Sequence, residues 1–585
     1  MADQYAAVLD QSVGSIRLID HAHLRLTHHP SLAERAHTAD VWCRQRRLTA
    51  ASCARDRAMN PISRRQFLAL SASVTIVACS GKTSSDSDSD ADAPTSTSGS
   101  DPTTTSTTTT STTTTTTTAT PPTTQPAAAE LAADPFTLGV ASGDPGPTSI
   151  VLWTRLTGDL PDEIAVEWEL LDGDDVVASG IESATADNAH TIHAVVELDR
   201  PLEYRFRAAG WESQRGRTQP ATGRDELRIA SASCQHFETG FYAAHRDIAE
   251  WRPDLVLFLG DFIYEGAANQ VGGEVVRSHD GPEPTDLAAY RGRYAHYLGD
   301  TDLQAARAAC PWIVIWDDHE VENDYAGTAA ATASDDPSQT ATFADRRAQA
   351  YRVWWEHTPT RLTPPVDGEP YAIYRSVDYG ELARISVLDG RQFRSDQECG
   401  SPTLSPDPPC EAVFDTARTM LGGEQEEWIA ERFASSVTTW NVLGQQTVMS
   451  DATLPNGAVL NYDQWDGYPA ARQRLLASPP ENLVVITGDI HLAGVGSLGA
   501  AGVEFVTTAI SSTANVPPEL ESVVRDLPNI IDAELTYRGY TRHTVNKDRW
   551  LAEFRIVDNI ADATSPVSTW KSFQVESGIP IAVAI

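Results

Sequence analysis

The sequence predicts an α/β protein, a layered core of buried strands and helices preceded by a small antiparallel β-sandwich. Three observations carry this. Short β-rich runs broken by turn residues occupy residues 136–222. After Asp225 the rhythm changes to strand, helix, strand. The later strands are apolar throughout, as strands covered on both faces must be.

In the first region, strands are expected over 149–153, 164–168, 191–196 and 203–206, with Asp172-Gly173-Asp174 as a turn between them. Several short strands at this spacing suggest a sandwich, and no catalytic constellation falls within it. In the second region, strands are expected over 227–230, 255–259, 312–316, 383–388, 440–443 and 483–487, with helices such as 242–251 and 423–433 between them. Ligands of such folds bind at the carboxyl ends of the strands.

Size and charge narrow the function. At 585 residues the chain is too long for one ordinary domain. Acidic residues number 81 and basic ones 44, a net charge of −37, which excludes a protein whose main task is gripping a nucleic-acid backbone. The balance suits a secreted protein and is compatible with bound cations. Lys occurs only at Lys82, Lys547 and Lys571, so nearly every positive charge is Arg. No apolar run reaches the roughly 18–20 residues of a spanning helix.

The amino-terminal region concerns address. Ser63-Arg64-Arg65-Gln66-Phe67-Leu68 opens a short apolar stretch that ends Ile76-Val77-Ala78-Cys79. An arginine pair, a weakly apolar core and a small residue before Cys form an export signal. The pattern resembles a twin-arginine signal with a lipoprotein cleavage box, with Cys79 as the lipidated residue. Export by the twin-arginine machinery and a lipid anchor at the membrane surface are therefore expected. The destination is a cell-surface, extracellular or periplasmic one. Translation is expected to begin at Met59, leaving 1–58 as an upstream extension and 59–79 as the signal. Residues 80–130 are dominated by Ser, Thr, Asp and Pro, including the run from Thr112 to Thr118, too poor in large apolar groups to form a core. They read as a linker between anchor and folded part. The sandwich is expected over 131–222, the main domain over 223–560 and a tail over 561–585. Beyond Cys79, Cys399 and Cys410 flank a Pro-rich loop and are expected to form a disulfide. Cys310 is expected to be a buried thiol.

The polar residues after each apolar strand carry the functional argument. The strand at 227–230 leads to Cys234, and that at 255–259 to Gly260-Asp261, Tyr264 and Glu265. The strand at 312–316 leads to Asp317-Asp318-His319-Glu320, then Asn323 and Asp324. The strand at 383–388 leads to Asp389-Gly390-Arg391, that at 440–443 to Gln445-Gln446, and that at 483–487 to Gly488-Asp489-Ile490-His491. One Gly-Asp after a strand is commonplace. Many strands delivering ionisable groups to one rim are not, because crowded carboxylates repel unless a cation sits among them.

The succession Gly-Asp-x-x-Tyr, Asp-His-Glu and Gly-Asp-x-His resembles the calcineurin-like metallophosphoesterases. With Cys234 in place of the usual first Asp-x-His block, Tyr264 after the bridging Asp and Asp489 in the last block, it resembles the PhoD-like alkaline phosphatase and phosphodiesterase family more narrowly. The resemblance also covers Gly139-Val-Ala-Ser-Gly-Asp-Pro145, Leu152-Trp-Thr-Arg155, Met420-Leu-Gly-Gly423, Glu504-Phe-Val-Thr-Thr508 and Arg538-Gly-Tyr540, and extends over about 134–560. It implies a layered metallophosphoesterase core that hydrolyses phosphate esters by metal-activated attack of water on phosphorus, releasing inorganic phosphate.

Thiolate, phenolate and imidazole suit a transition metal, so Cys234, Asp261, Tyr264 and His491 are expected to hold Fe³⁺. Oxygen ligands suit a hard cation, so the bridging Asp261 with Asp318 and Asp489 is expected to hold one or two Ca²⁺. The iron and calcium of the family agree with that split. Asp317, Asn323 and Asp324 are further oxygen donors, and Asn323 is also taken as a catalytic candidate. His319 is expected to give a proton or hydrogen bond to the leaving or phosphoryl oxygen. Arg391 is expected to bind non-bridging oxygens through its planar fork, with a structural ion pair as the alternative. His236 is read as a packing residue, and the aromatic run 351–355 as a core helix face. Two rival functions remain. One is a phosphodiesterase or phospholipase D-like hydrolase, decided by the loops at 266–300 and 325–345; the other is an inactive surface lipoprotein that binds a partner through its sandwich.

Overall fold

The computed structural model describes residues 131–271, 273–330, 337–399 and 408–585. The expected upstream extension, export signal and linker lie outside them. The described residues fall in one compact unit. No described helix is long and apolar enough to cross a membrane.

The first segment is almost entirely strand: β1 (Val140–Gly143), β2 (Ser149–Arg155), β3 (Glu163–Asp172), β4 (Asp175–Thr185), β5 (Thr191–Glu197), β6 (Leu202–Ala208), β7 (Trp211–Glu212) and β8 (Gly216–Thr218). In β6, Leu202, Tyr204, Phe206 and Ala208 point inward and the residues between them outward, the period of two that makes one face a core face. They meet Val140, Ile150, Leu152 and Ile192 in one apolar cluster, so the two layers of a sandwich are present.

The next segment holds β9 (Glu226–Ala232), α1 (Ala243–Trp251), β10 (Leu255–Phe258), α2 (Leu287–Leu298), α3 (Thr301–Ala309), β11 (Pro311–Val314) and α4 (Pro337–His357). Strands β9, β10 and β11 run parallel, with Leu257 opposite Ser231 on one side and Ile313 on the other. A second set follows: β12 (Arg375–Tyr379), β13 (Ala383–Val387), α5 (Gly423–Ala434), β14 (Trp440–Gly444), α6 (Pro469–Leu475), β15 (Leu483–Thr487), β16 (Ala493–Ser497), β17 (Gly502–Val506), α7 (Glu521–Arg525) and β18 (Ile530–Glu534). The chain closes with β19 (Arg538–Asn546), β20 (Arg549–Val557), β21 (Val567–Glu576) and β22 (Ala582–Ala584).

These strands form a ten-stranded sheet in the order β22-β21-β20-β19-β9-β10-β11-β1-β2-β5 and a seven-stranded sheet in the order β12-β13-β14-β15-β17-β16-β18. Both contribute to the main core, where Leu257 of the first sheet and Val387, Val442, Ile486 and Phe505 of the second share one cluster. The core is thus two facing mixed sheets, each with a parallel centre.

Two boundaries differ from the sequence reading. Strands β1, β2 and β5 form one sandwich layer but also continue the large sheet, because β1 pairs in parallel with β11. Strand β2 explains why: Ile150 and Leu152 enter the sandwich core while Trp153 enters the main core, so it is buried on both faces. Residues 561–585 are not a free tail, since β21 and β22 complete the sheet edge through an antiparallel ladder with β20. Cys399 and Cys410 form a disulfide, and Cys310 is a buried free thiol. The aromatic residues Tyr351, Trp354 and Trp355 of α4 are core residues.

Candidate metal centre

The polar residues of the candidate site come from successive strand ends of the two parallel centres: Cys234 after β9, Asp261 after β10, Asp317 and Asp318 after β11, Arg391 after β13, Asp489 and His491 after β15. Close backbone approach makes this possible. A Cβ on Gly260, which has φ 109°, would lie 2.6 Å from the Asp317 nitrogen, and one on Gly488 would lie 2.4 Å from Ser233 Oγ. Only glycine admits that contact. Glu320 ties the loops together by accepting the backbone N–H groups of Asp261 (3.0 Å), Phe262 (2.6 Å) and Asp317 (2.7 Å).

The residues brought to the rim are held in sparsely populated backbone conformations. Cys234, Asp261, Asp489 and His491 all have left-handed φ values, of 58°, 56°, 63° and 57°. Each costs about 1–2 kcal/mol for a non-glycine residue. Four such residues in one cluster mark the place where fold stability yields to side-chain placement.

The donor atoms fall into three overlapping groups, each with its atoms within 4.8 Å of one another: Cys234, Asp261 and His491; Asp261, Asp318 and His319; Asp317, Asp318 and Asp489. Asp261 belongs to two of them. The Tyr264 hydroxyl donates to Asp261 Oδ2 at 2.8 Å and lies 3.0 Å from His491 Nε2. His491 Nδ1 lies 2.6 Å from the Thr513 carbonyl, which can only accept. Nδ1 therefore carries the hydrogen, leaving the Nε2 lone pair toward the cluster, the arrangement that orients metal-binding histidines.

The electrostatics of the cluster are strained without a cation. Asp261 Oδ1 and Asp317 Oδ2 are buried and have no hydrogen-bond partner. Burial lifts the Asp261 carboxyl well above the usual range; the charges of Asp318, Glu320 and Asp489 add to this against the pull of His319. Burial raises Asp489 to about 6 despite Arg391. Burial likewise pushes the Cys234 thiol and the Tyr264 phenol well up, and pushes His491 down to about 3. Asp318 differs: against burial, Arg391 and His319 hold it well below its ordinary value. A multivalent cation reverses the sense of all the raised groups at once. The orphaned oxygens and the donor set fit such an ion.

His319 stands at the open side of the cluster. Its Nδ1 is 2.6 Å from Glu265 Oε2, and its ring lies 4.0 Å from that of Tyr264. Burial disfavours the imidazolium, but Glu265, Asp261 and Asp318 outweigh it and hold its pKa well above the ordinary value. Asn323 and His319 line one cavity with Asp261, Asp318, Asp489 and His491, and Glu265 Oε1 accepts the Asn323 backbone N–H at 2.9 Å.

Arg391 departs from the expectation of a phosphate-binding fork. It is wholly buried. Its Nε binds Asp317, its Nη1 both oxygens of Asp463 (2.9 and 2.8 Å), and its Nη2 Asp489 at 2.9 Å. The guanidinium is thus the fixed counter-charge of the carboxylates, the structural alternative, with Nε, Nη1 and Nη2 each bonded to a carboxylate. Asp463 was not visible as a site residue, because it sits in an irregular loop with no strand before it. Glu265 sat in the Gly-Asp-x-x-Tyr-Glu run, but nothing in the sequence linked it to His319. His236 packs its ring 4.4 Å from Tyr264 and accepts the Glu238 N–H, so it is a neighbour of the cluster in a capping role.

Comparison with known proteins agrees with this geometry. Residues 229–554 match the model of the PhoD-like phosphatase family, and residues 105–222 match that of the PhoD-like phosphatase N-terminal domain. The chain is 36% identical to alkaline phosphatase D of Bacillus subtilis (strain 168), over 76% of this chain and 82% of that protein. It resembles a solved structure described as the structure of PhoD, with a TM-score of 0.73 and 35% identity over 78% of this chain and 93% of that one. The chain belongs to the PhoD-like phosphatase family and is a phosphoric ester hydrolase.

Proposed function

We propose that the chain is an exported, metal-dependent alkaline phosphatase in which Cys234, Asp261, Tyr264 and His491 hold Fe³⁺ while Asp261, Asp318 and Asp489 hold one or two Ca²⁺. The observation that carries the reading is the buried, unpartnered Asp261 Oδ1 at the junction of two donor groups of different chemistry. Thiolate, phenolate and imidazole select a transition metal; the all-oxygen side suits a hard cation. When bound, such ions supply positive charge that polarises the phosphoryl oxygens and makes water a better nucleophile at neutral pH.

The chain's own residues do the rest. Thr513 and Glu320 fix the ligand side chains and loops, so little reorganisation is needed when charge develops. Arg391 favours the charged form of the carboxylates it contacts and holds them in place. His319 holds a proton: Nδ1–H stays on Glu265, and Nε2–H is free to pass to the ester oxygen as its bond to phosphorus breaks. Asn323 is assigned a polar contact to the substrate from the same wall. The twin-arginine signal and the lipid anchor at Cys79 remain part of the proposal on the strength of the sequence pattern.

The test is hydrolysis of 4-nitrophenyl phosphate against bis(4-nitrophenyl) phosphate, with and without chelator. Chelator-sensitive turnover favouring the monoester is expected. Preference for the diester would move the assignment to a phosphodiesterase on the same site, and chelator-insensitive turnover would refute the metal assignment.

A further inference from the structure

Tyr264 is gripped from one further side. Ser512, in the connection from β17 to α7, is buried and sets its Oγ 2.8 Å from the Tyr264 hydroxyl oxygen. The segment carrying it is fixed at several points. The Ile510 N–H donates to the Ser233 carbonyl at 2.9 Å, and the Ser512 N–H to the Cys234 carbonyl at 3.2 Å. The Ser512 carbonyl accepts from Arg538 Nε at 2.7 Å, and its Oγ accepts the His236 N–H at 3.2 Å. Such a frame leaves the hydroxyl little freedom to turn away from the phenol.

The hydrogen count at the two oxygens shows what the hydroxyl is for. Ser512 Oγ has one hydrogen and two acceptors in reach, the Cys234 carbonyl at 2.7 Å and the Tyr264 oxygen at 2.8 Å. The carbonyl already receives the Ser512 backbone N–H, so it does not depend on the hydroxyl. The Tyr264 oxygen is in the opposite position once it binds a metal. A tyrosine ligates as its phenolate, so the hydrogen that Tyr264 gives to Asp261 is then gone. Its other neighbours are the Asp261 carboxylate and His491 Nε2, whose lone pair faces the cluster, and neither can donate. Among the described residues, Ser512 is the one donor within hydrogen-bond distance of that oxygen.

We infer that Ser512 is a positioning residue for Tyr264, its hydroxyl holding the tyrosine oxygen in place and donating to it when that oxygen is a metal ligand. This rests on the proposed assignment of Tyr264 to Fe³⁺. A hydrogen bond to an ionised acceptor is about twice as strong as one between neutral groups. Here it draws electron density from the phenolate, so the oxygen gives less of it to the metal. Ser512 thereby tunes the ion without touching it, as the outer partners of metal ligands do.

The test is visible absorption of the full chain loaded with Fe³⁺, in which an iron-bound phenolate gives a charge-transfer band. Tyr264→Phe identifies that band by removing it. Ser512→Ala should move the band to longer wavelength, because a phenolate without its donor releases an electron more easily. The same variant should bind Fe³⁺ about tenfold to a hundredfold more weakly in competition with a chelator. Ser512→Thr, which keeps the hydroxyl, should restore both. An unchanged band in Ser512→Ala overturns the inference and leaves the iron assignment standing. An equal shift in Ser512→Thr also overturns it, since a displaced loop and not the lost hydroxyl is then responsible. If Tyr264→Phe removes no band, the iron assignment fails, and the NMR resonance of the Tyr264 Cζ carbon in the chelator-treated protein decides the contact. A shift in Ser512→Ala that Ser512→Thr reverses supports it; an unmoved resonance overturns it.

Discussion

Two Gly-Asp turns follow parallel strands of the ten-stranded sheet, Gly143-Asp144 after β1 and Gly260-Asp261 after β10, and they have opposite uses. Both aspartates are buried, with left-handed φ values of 45° and 56°. Both glycines sit against backbone: a Cβ on Gly143 would lie 2.2 Å from the Pro359 carbonyl oxygen. The difference is in what closes the carboxylate. Asp144 is ion-paired with Arg375 at 2.8 Å and accepts from Thr360 Oγ1 (2.7 Å) and the Arg361 N–H (3.0 Å). Asp261 keeps one oxygen without a partner among other carboxylates. A fixed cation closes the first turn, while the second keeps an unmet valence, as its proposed role as a metal ligand requires. The motif does not distinguish them, and the partner set does.

The largest expected effect is at the open turn. Asp261→Asn should lower kcat/KM by on the order of a thousandfold or more, the scale of removing a group that stabilises transition-state charge. Its thermal stability in chelator should stay near that of the parent, because a repelled charge has been removed; steady-state kinetics beside a thermal melt checks both. Asp144→Asn inverts the pattern. It leaves Arg375 without its partner and should cost about 3 kcal/mol of stability, with kcat/KM within a few-fold of the parent below the melting range. A large activity loss there would break the contrast.

His319→Gln sharpens the comparison within the site. It should lower kcat by about a hundredfold to ten-thousandfold while bound metal stays constant, the range for losing a general acid. The smallest effect belongs to a carboxylate paired outside the site. Glu169 lies 2.5 Å from Arg205 Nε and 3.3 Å from Arg207 Nε. Burial resists its charge, but the hydrogen bonds and charges of these arginines hold its pKa below the ordinary value. A carboxyl whose pKa is depressed by folding adds stability above its unfolded pKa and loses it as pH falls through the folded one. Glu169→Gln should therefore cost about 1 kcal/mol or less at pH 7. That difference should shrink as pH falls below the unfolded Glu value of about 4.3 and vanish once pH lies below the depressed folded-state value, as urea melts at several pH values would show.

Much of the fold was legible because its signals are local. The apolar runs at 255–259, 312–316, 440–443 and 483–487 became β10, β11, β14 and β15, and the groups after them reached the rim as expected. The division into two sheets was not legible, since pairing partners far apart in sequence leave no periodic trace. Strands β19 to β22 show the same limit: their half-polar alternation carries a weaker signal than a fully apolar run. Within the site, residues attached to strand ends were visible, and Asp463, on an irregular loop, was not. Arg391 was visible, but its direction was not, because only the folded chain shows that its donors face four carboxylates.

The most direct test of the contrast is metal content by plasma emission for the parent protein, Asp144→Asn and Asp261→Asn, purified identically. The account predicts equal metal in the first two and loss of metal in Asp261→Asn. Full metal and activity in Asp261→Asn, or loss of metal in Asp144→Asn, would contradict it.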